Sequence, residues 1–262
     1  MTSILRVGLC CFLFSIALLG CASPGQETVP FPPAGKALSP AQLAMYNDSF
    51  DRFRDDLYDI AAMTWTEQQM DNLCLGETEV SDGKLWIRTK PGCFSRGGLE
   101  SKYQIKGSFD IQIDCTVRFL TGRQEIDQIV LFLVTGKGSL TDFPRAGIQL
   151  AKFAGSQEAT ITSVSAGKGV SGHPRSNKIN DFAGSLRIIK NGNHLTTLHR
   201  KDDERDWTKL GTATLNEDRL RLGFVVRNFT PKTTSVKGNA SIFVTVDNLV
   251  VNAADEIIEG EI

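Results

Sequence analysis

Few side chains in this sequence have the types and spacing that catalysis requires. The segment Gly169-Val170-Ser171-Gly172-His173 is one residue away from the Gly-x-Ser-x-Gly turn that presents a nucleophilic serine. Gly136-Lys137-Gly138-Ser139 has the glycines and lysine of a phosphate-binding loop, but it lacks the Walker spacing. The three histidines leave a serine triad open, although nothing singles out its members. Both segments are typical of turns and loops, and we expect no catalytic residue in them.

The sequence also gives no strong signal for a metal site. It has no Cys-x-x-Cys pair, and His173, His194 and His199 do not have the spacing of zinc ligands. Asp247 and Asn248 could supply oxygen ligands to Ca²⁺. Adjacent residues of a strand point to opposite faces, however, so a turn contact is the better interpretation. We therefore expect no metal and no other cofactor.

The elements that must position any functional side chain are mainly β-strands. From Leu73 onward, short alternating segments are separated by Gly, Asn, Asp and Pro, which predicts a sandwich or a barrel. Residues 108–120 alternate most clearly and predict a strand with one dry and one wet face, a pattern that residues 219–228 repeat. Residues 129–134 are apolar on both faces and predict a central strand, with an N-terminal helix as a candidate cover. Lys190-Asn191-Gly192-Asn193 predicts a tight hairpin.

Three further segments have predicted structures. Ser39-Pro40-Ala41-Gln42 has the serine, proline and glutamine of a helix start, and apolar residues at helical spacing extend the predicted amphipathic helix over about 40–62. Residues 165–178 are rich in Gly, Ser and basic residues, which predicts a mobile surface loop. Residues 253–262 predict a loosely held acidic tail.

Composition excludes several classes of partner. The 262-residue chain has a formal net charge of −1 at pH 7 and no basic stripe, so we expect no nucleic acid partner. Hydrophobic residues make up 41% of the chain, which is enough for a substantial core. After the N-terminal region, no apolar run has the length of about 20 residues that a membrane-spanning helix needs.

The N-terminus indicates export and anchoring. Arg6 precedes an apolar run over residues 7–19, which has the size of a signal-peptide core. The following Leu18-Leu19-Gly20-Cys21 resembles the lipobox of bacterial lipoproteins. That resemblance implies cleavage before Cys21, lipidation of Cys21, and a location on the membrane of the bacterial cell envelope. Ala22 and Ser23 resemble the residues of lipoproteins sorted to the outer membrane.

The predicted organisation of the chain follows from these segments. We expect a signal peptide over residues 1–20 and a proline-containing lipidated tether over 21–38. The N-terminal helix with its packing region would occupy 39–69, the β-sandwich 70–252 and the tail 253–262.

Three cysteines are left for the folded domain. Cys115 falls on the dry face of the predicted strand 108–120, so we interpret it as a small buried hydrophobic residue. This favours a disulfide between Cys74 and Cys93 in an oxidising compartment, with the other pairings left open.

The order of segments in the second half of the chain resembles a known family. The relevant segments are residues 184–192, Leu198-His199-Arg200, Asp206-Trp207, 220–228 and 242–251, with 82–87 and 109–119 as opening strands. Together they resemble the concanavalin A-like lectin and glucanase domains, which include laminin G-like jelly rolls. The resemblance covers about residues 70–252. It implies a jelly-roll sandwich of two antiparallel sheets, often with a saccharide site on the concave face.

The catalytic branch of that superfamily includes the glucanases of glycoside hydrolase family sixteen. Their signature, roughly Glu-x-Asp-x-Glu, places nucleophile and general acid on one face of a strand. Glu125 and Asp127 match its first two positions, but Ile129 occupies the third. The acid/base is therefore missing, and we interpret both carboxylates as charges at the edge of a strand or in a loop.

A binding function needs an aromatic platform beside planar polar groups. The candidates are polar residues of the wet strand faces and one tryptophan in a charged segment: Gln112, Asp114, Arg118, Trp207, Arg221 and Arg227. Cross-strand charge pairs would explain the same residues without a ligand. The loop with His173 and Arg175 is a further candidate contact surface.

These observations favour a lipid-anchored, non-catalytic β-sandwich that binds a carbohydrate or another surface polymer. A glycoside hydrolase-like enzyme of the same fold is one alternative, and a structural or partner-docking envelope protein is another. The sequence does not define an oligomeric state.

Overall fold

The protein is almost entirely built of β-strands. The computed structural model describes residues 37–61, 73–91, 93–123, 126–136, 144–229 and 241–260. The elements in chain order are α1 Pro40–Ala44, β1 Tyr58–Ile60, β2 Leu73–Leu75, β3 Glu77–Ser81, β4 Lys84–Arg88, β5 Phe94–Arg118, β6 Asp127–Thr135, β7 Arg145–Lys152, β8 Ala159–Ala166, β9 Val170–Pro174, β10 Ser176–Ile179, β11 Phe182–Asn191, β12 His194–Lys201, β13 Thr208–Leu215, β14 Arg219–Phe229 and β15 Phe243–Glu259. The predicted signal peptide, the lipobox-like segment and most of the predicted tether lie outside the described residues.

One long strand connects the two layers of the sandwich. The second part of β5 pairs with β11 and β15, in a layer with the order β3-β4-β15-β5-β11-β12-β13-β9 that we call the front sheet. The first part of β5 pairs with β14, in a layer with the order β10-β8-β7-β6-β14-β5 that we call the back sheet. The predicted two-sheet, mainly antiparallel jelly roll is confirmed.

The core lies between the two sheets. Ile113 and Leu249 of the front sheet and Leu222 and Phe224 of the back sheet line the same interior cavity of about 10 Å³. All four side chains are buried and belong to one apolar cluster. Because side chains alternate along a strand, the neighbours of these inward residues form the outer faces of the two sheets.

The predicted N-terminal helix is correct at its start and wrong in its length. Ser39 caps α1, and Ser39 and Gln42 form the expected capping box, but the helix ends at Ala44. The Asp48 carboxylate then accepts a hydrogen bond from the Phe50 backbone N–H, and Phe50 has a φ of 55°. After this left-handed turn the Phe50 ring is buried in the core. Residues 62–72 lie outside the described part of the chain.

The predicted loop over residues 165–178 and the predicted tail are also wrong. Strand β9 pairs with β13, and β10 pairs with β8, so this segment links the far edges of the two sheets. None of the residues 165–178 is buried and most are exposed, and for that reason the composition of this segment is that of a loop. The acidic C-terminal segment belongs to β15 as far as Glu259, whose carboxylate accepts a hydrogen bond from Tyr46 Oη at 2.7 Å.

Two other local predictions agree with the structure, one of them in part. Asn191 pairs with His194 across a hairpin in which Gly192 has a φ of 58°. Strand β6 is central, between β7 and β14, and both faces of the strand are largely buried. The suggested helical cover of β6 is wrong, because α1 packs against β15 instead.

The cysteines occupy two different environments. A disulfide joins Cys74 to Cys93, the pair that the sequence favours, and Cys115 is free and buried. Burial raises the pKa of the Cys115 thiol well above its usual range, so the thiol stays protonated. Within the described part of the chain, no helix is long and apolar enough to cross a membrane.

Candidate functional site

The structure divides the predicted binding residues between the two sheets. Gln112, Asp114 and Arg118 lie on the outer face of the front sheet, because they alternate with buried Ile111, Ile113, Cys115 and Val117. Arg221 and Arg227 lie on the outer face of the back sheet, because they alternate with buried Leu222, Phe224 and Val226. These five strand residues therefore lie on two different outer faces and do not line one groove.

The centre of the front face is a hydrogen-bonded polar group. Gln112 Nε2 donates a hydrogen bond to Asp114 Oδ1 at 2.8 Å, and Asn248 Nδ2 approaches Asp114 Oδ2 at 3.4 Å. Asp247, beside Asn248, forms an ion pair with Lys84 instead of contributing to a metal site. These partners hold the carboxylates in place, as the cross-strand interpretation expects.

Trp207 lies on the same face and is already covered by cations. The guanidinium carbons of Arg187 and Arg200 are 5.3 and 4.8 Å from the centre of its ring. Arg187 forms a two-bond ion pair with Asp110, whose side chain is fully buried, and this contact raises the pKa of Arg187. Because two guanidinium groups already pack on Trp207, its ring is better suited to structure than to stacking on a ligand.

A second aromatic group lies at the other end of the front face. The rings of Trp86 on β4 and Phe243 on β15 are 5.0 Å apart between centroids. They line a shallow cavity of about 110 Å³ together with Glu77, Glu79 and Arg88. We call these five residues the front pocket. The orientation of the Trp86 ring is held by a hydrogen bond that its indole N–H donates to the Ser81 carbonyl oxygen at 2.9 Å.

The front pocket combines half-buried aromatic rings with exposed charged groups. Trp86 and Phe243 are half-buried, whereas Glu77, Glu79 and Arg88 are exposed. Neither carboxylate forms an ion pair with any residue that the structure describes. An aromatic surface with hydrogen-bonding groups at its rim fits the apolar face of a sugar ring and its hydroxyls.

This pocket was not predicted from the sequence, although a signal for it existed. In β4 the alternation Lys84-x-Trp86-x-Arg88 places a tryptophan between two cations on one strand face. Phe243 could not be added, because it is 157 positions further along the chain and meets Trp86 only through the pairing of β15 with β4.

Along the described part of β6, the back face carries no group of aromatic and charged side chains comparable to the front pocket. Asp127 opens β6 and accepts a hydrogen bond from the Ala154 backbone N–H at 2.7 Å, while Glu125 lies outside the described residues. Ile129, Leu131 and Leu133 follow on the same face of the strand, by alternation. Arg221 donates two hydrogen bonds to the Ser101 carbonyl oxygen, and Arg227 pairs in register with Ile129.

The other groups considered for catalysis are not assembled. Ser171 and His173 are both exposed on β9, and His199 is buried in the core, where burial lowers its pKa. No cluster of three His, Cys, Asp or Glu side chains able to hold a metal occurs among the described residues.

Comparison with known proteins identifies the fold. No protein-family model and no curated protein matches the chain. The structure is similar to the catalytic domain of an endo-1,3-β-glucanase (laminarinase) from Thermotoga petrophila, with 11% identity, coverage of 80% of this chain and 97% of that one, and a TM-score of 0.55. It is similar to a β-1,3-glucanase from Mycobacterium marinum, with 12% identity, coverage of 79% and 97%, and a TM-score of 0.52.

A third similar structure is described as an immunostimulatory antigen and pseudo β-1,3-glucanase of Mycobacterium tuberculosis. Identity is 8%, coverage is 87% of this chain and 100% of that one, and the TM-score is 0.53. These values establish a concanavalin A-like jelly-roll fold, as the family resemblance implied.

Proposed function

We propose that this protein is a non-catalytic carbohydrate-binding protein of the bacterial cell envelope, held to the outer membrane by a lipid on Cys21. The observation that carries the proposal is the front pocket, in which the half-buried rings of Trp86 and Phe243 lie beside exposed charged groups. The rings supply an apolar surface, and the carboxylates of Glu77 and Glu79 can accept hydrogen bonds from hydroxyls.

The absence of a catalytic function is supported by strand β6. The third position of the signature is Ile129, and the Asp127 carboxylate already accepts a structural hydrogen bond. A retaining glycosidase needs two carboxyl groups about 5–5.5 Å apart, one of which must hold a proton. That one similar structure is itself described as a pseudo β-1,3-glucanase is consistent with a glucanase-like fold without catalysis.

The binding test removes each of the two pocket rings in turn. The full chain in detergent would be tested on a glycan array and in pull-downs with insoluble polysaccharides. We expect Trp86→Ala and Phe243→Ala to weaken binding by about tenfold or more, since each removes one stacking surface. Phe153→Ala is the matched control, because Phe153 is 45% exposed outside the front pocket. Absence of binding to every polymer, or equal loss with Phe153→Ala, would contradict the proposal.

The anchor has its own test. Several acyl chains on one cysteine make membrane attachment effectively permanent, because each buried methylene contributes about 0.8 kcal/mol. Radiolabelled palmitate should enter the wild-type protein and should not enter Cys21→Ser. Equal labelling of the two proteins, or no labelling of either, would remove the lipid anchor from the proposal.

A glycoside hydrolase remains the second candidate because of Glu77 and Glu79. They occupy alternate positions of β3 and both line the front pocket beside Trp86. Both are exposed, however, whereas a general acid is normally held protonated by burial. We expect no new reducing ends when the protein is incubated with a polysaccharide that it binds. Product formation that Glu77→Gln or Glu79→Gln abolishes would establish the enzyme instead.

A further inference from the structure

The charges around the front pocket are separated by sign. Phe243 pairs in register with Arg88 on one side and with Arg118 on the other. Adjacent strands lie about 4.8 Å apart, so the Cα atoms of both arginines lie close to that of Phe243, on the same face of the sheet. The two carboxylates, Glu77 and Glu79, belong to β3, on the far side of β4. The pocket therefore has an acidic edge at β3 and a basic edge towards β5.

The basic edge has charge available for a ligand. The Arg88 guanidinium carbon is 5.5 Å from the centre of the Phe243 ring, which keeps this cation over the aromatic surface. Arg118 is the last residue of β5 and is exposed. Neither arginine forms an ion pair with a residue in the described ranges, although Glu77 lies opposite Arg88 in register.

This separation of charge has a consequence for the ligand. A guanidinium group binds a carboxylate through two parallel, charge-assisted hydrogen bonds, whereas a sugar hydroxyl is neutral and forms only uncharged-acceptor hydrogen bonds with it. A carboxylate placed at the acidic edge would be repelled by Glu77 and Glu79. A sugar unit that carries one carboxylate can therefore lie on the rings in one preferred orientation, with its acid group towards β5.

We propose that the front pocket recognises an acidic glycan, by stacking a uronic-acid-type unit on Trp86 and Phe243 and by pairing its carboxylate with Arg118. This inference rests on the proposed carbohydrate binding and adds to it the class of sugar and the residue that selects it. It also assigns the binding site to the front sheet. The segment that resembles the glucanase carboxylate signature lies instead at β6, in the back sheet. Arg118 is an expected ligand residue of the sequence analysis, and its position beside Phe243 gives it a specific role.

The test compares one saccharide in two charge states. The full chain in detergent is titrated with an oligogalacturonide of defined length and with the same oligosaccharide after complete methyl esterification. We expect the acidic form to bind about tenfold more tightly at low salt, because only it can form the charge-assisted pair. Added salt should reduce this preference, since the pair is exposed.

The variants assign the preference to one side chain. Arg118→Gln should lower the affinity for the acidic form to that for the neutral ester and so abolish the preference, and Arg118→Lys should restore only part of it. Arg145→Gln is the matched control, because Arg145 is exposed on the back sheet. A circular dichroism melt would establish that each variant is folded.

The possible results distinguish failure of the acidic-glycan inference from failure of the proposed carbohydrate binding. The acidic-glycan assignment would be overturned by any of three results. These are equal binding of the two forms by the wild type, a preference that survives Arg118→Gln, and binding of neither form. The proposed carbohydrate binding fails only if the array and the pull-downs are also negative. If they are positive for neutral polymers alone, carbohydrate binding stands and the acidic ligand does not.

Discussion

The outer faces of the two sheets have the same strand geometry but different side-chain chemistry. The front face carries Trp86, Phe243 and exposed charges at one end, and the Asp110–Arg187–Trp207 group at the other. The outer face of β6 in the back sheet is apolar at Ile129 and Leu133, which are both buried. Similarity to glucanases alone would direct attention to the back sheet. This difference shows that a shared fold determines the arrangement of the strands. The location of a binding site depends instead on which outer face carries solvent-accessible rings and charges.

The largest expected effect tests how closely the back sheet is packed. A Cβ at Gly98 would lie 2.0 Å from the Phe224 carbonyl oxygen, and Gly98 has a φ of 116°. Gly98→Ala should therefore lower the free energy of unfolding by about 4 kcal/mol, measured by urea denaturation. Gly223 lies on the same face, and its Cβ would have only Val225 Cγ2 within reach, at 3.9 Å. Gly223→Ala should change stability by less than about 1 kcal/mol, and equal losses would show that close packing does not distinguish the two sites.

The second prediction tests the buried ion pair of the front sheet. The Asp110 side chain is 0% exposed and Arg187 is 24% exposed. Asp110→Ala would leave a half-buried guanidinium group without its carboxylate, and we expect a loss of about 3 kcal/mol in chemical denaturation. Lys84→Ala breaks the more exposed pair with Asp247 and should cost less than about 1 kcal/mol. If both variants cost the same, Asp110 is not the structural anchor of the front face.

The third prediction concerns pH and the inner side of the front sheet. His199 is buried, neither of its ring nitrogens has a hydrogen-bond partner among the described residues, and burial lowers its pKa. The unfolded chain therefore binds a proton at a higher pH than the folded chain does. The stability linked to His199 is complete above its unfolded pKa of about 6.5 and is lost as the pH falls through the folded value.

The variant His199→Leu isolates this effect. The melting temperature of the wild type should fall more steeply than that of His199→Leu between pH 7 and pH 5. The drop in melting temperature from pH 7 to pH 5 should therefore be smaller for His199→Leu than for the wild type. Parallel pH profiles of the two proteins would show that His199 makes no linked contribution.

The smallest expected effect separates binding from stability in the front pocket. Arg88 is exposed, and its contact with Phe243 is a surface cation–π interaction of about 0.5–1 kcal/mol. Arg88→Gln should lower the melting temperature by no more than a few degrees. A loss similar to that of Asp110→Ala would mean that the front pocket is a structural cluster and not an open surface.

Local patterns predicted much of the fold. Alternation over residues 108–120 identified the second part of β5, its dry face and the burial of Cys115. The capping box at Ser39 and the turn at Gly192 depend on neighbouring residues and agree with the structure. The helix beyond Ala44 was wrong because Phe50 and Leu57 are at helical spacing but reach the core through turns. Strand β9 was missed because an exposed edge strand lacks an apolar face.

The sequence by itself determined that the chain is mainly β and that its C-terminal half follows a jelly-roll order, and it places Ile129 at the third position of a segment that resembles the glucanase signature. Alternation gives each strand a wet face, because successive side chains point in opposite directions. Only the tertiary structure decided which wet faces belong together. Pairing of β15 with β4 and β5 brings Phe243 to Trp86 and Arg118, and the fold of β5 between two sheets separates Arg118 from Arg221. Contacts between distant strands depend on register and layer order, and no local spacing encodes these.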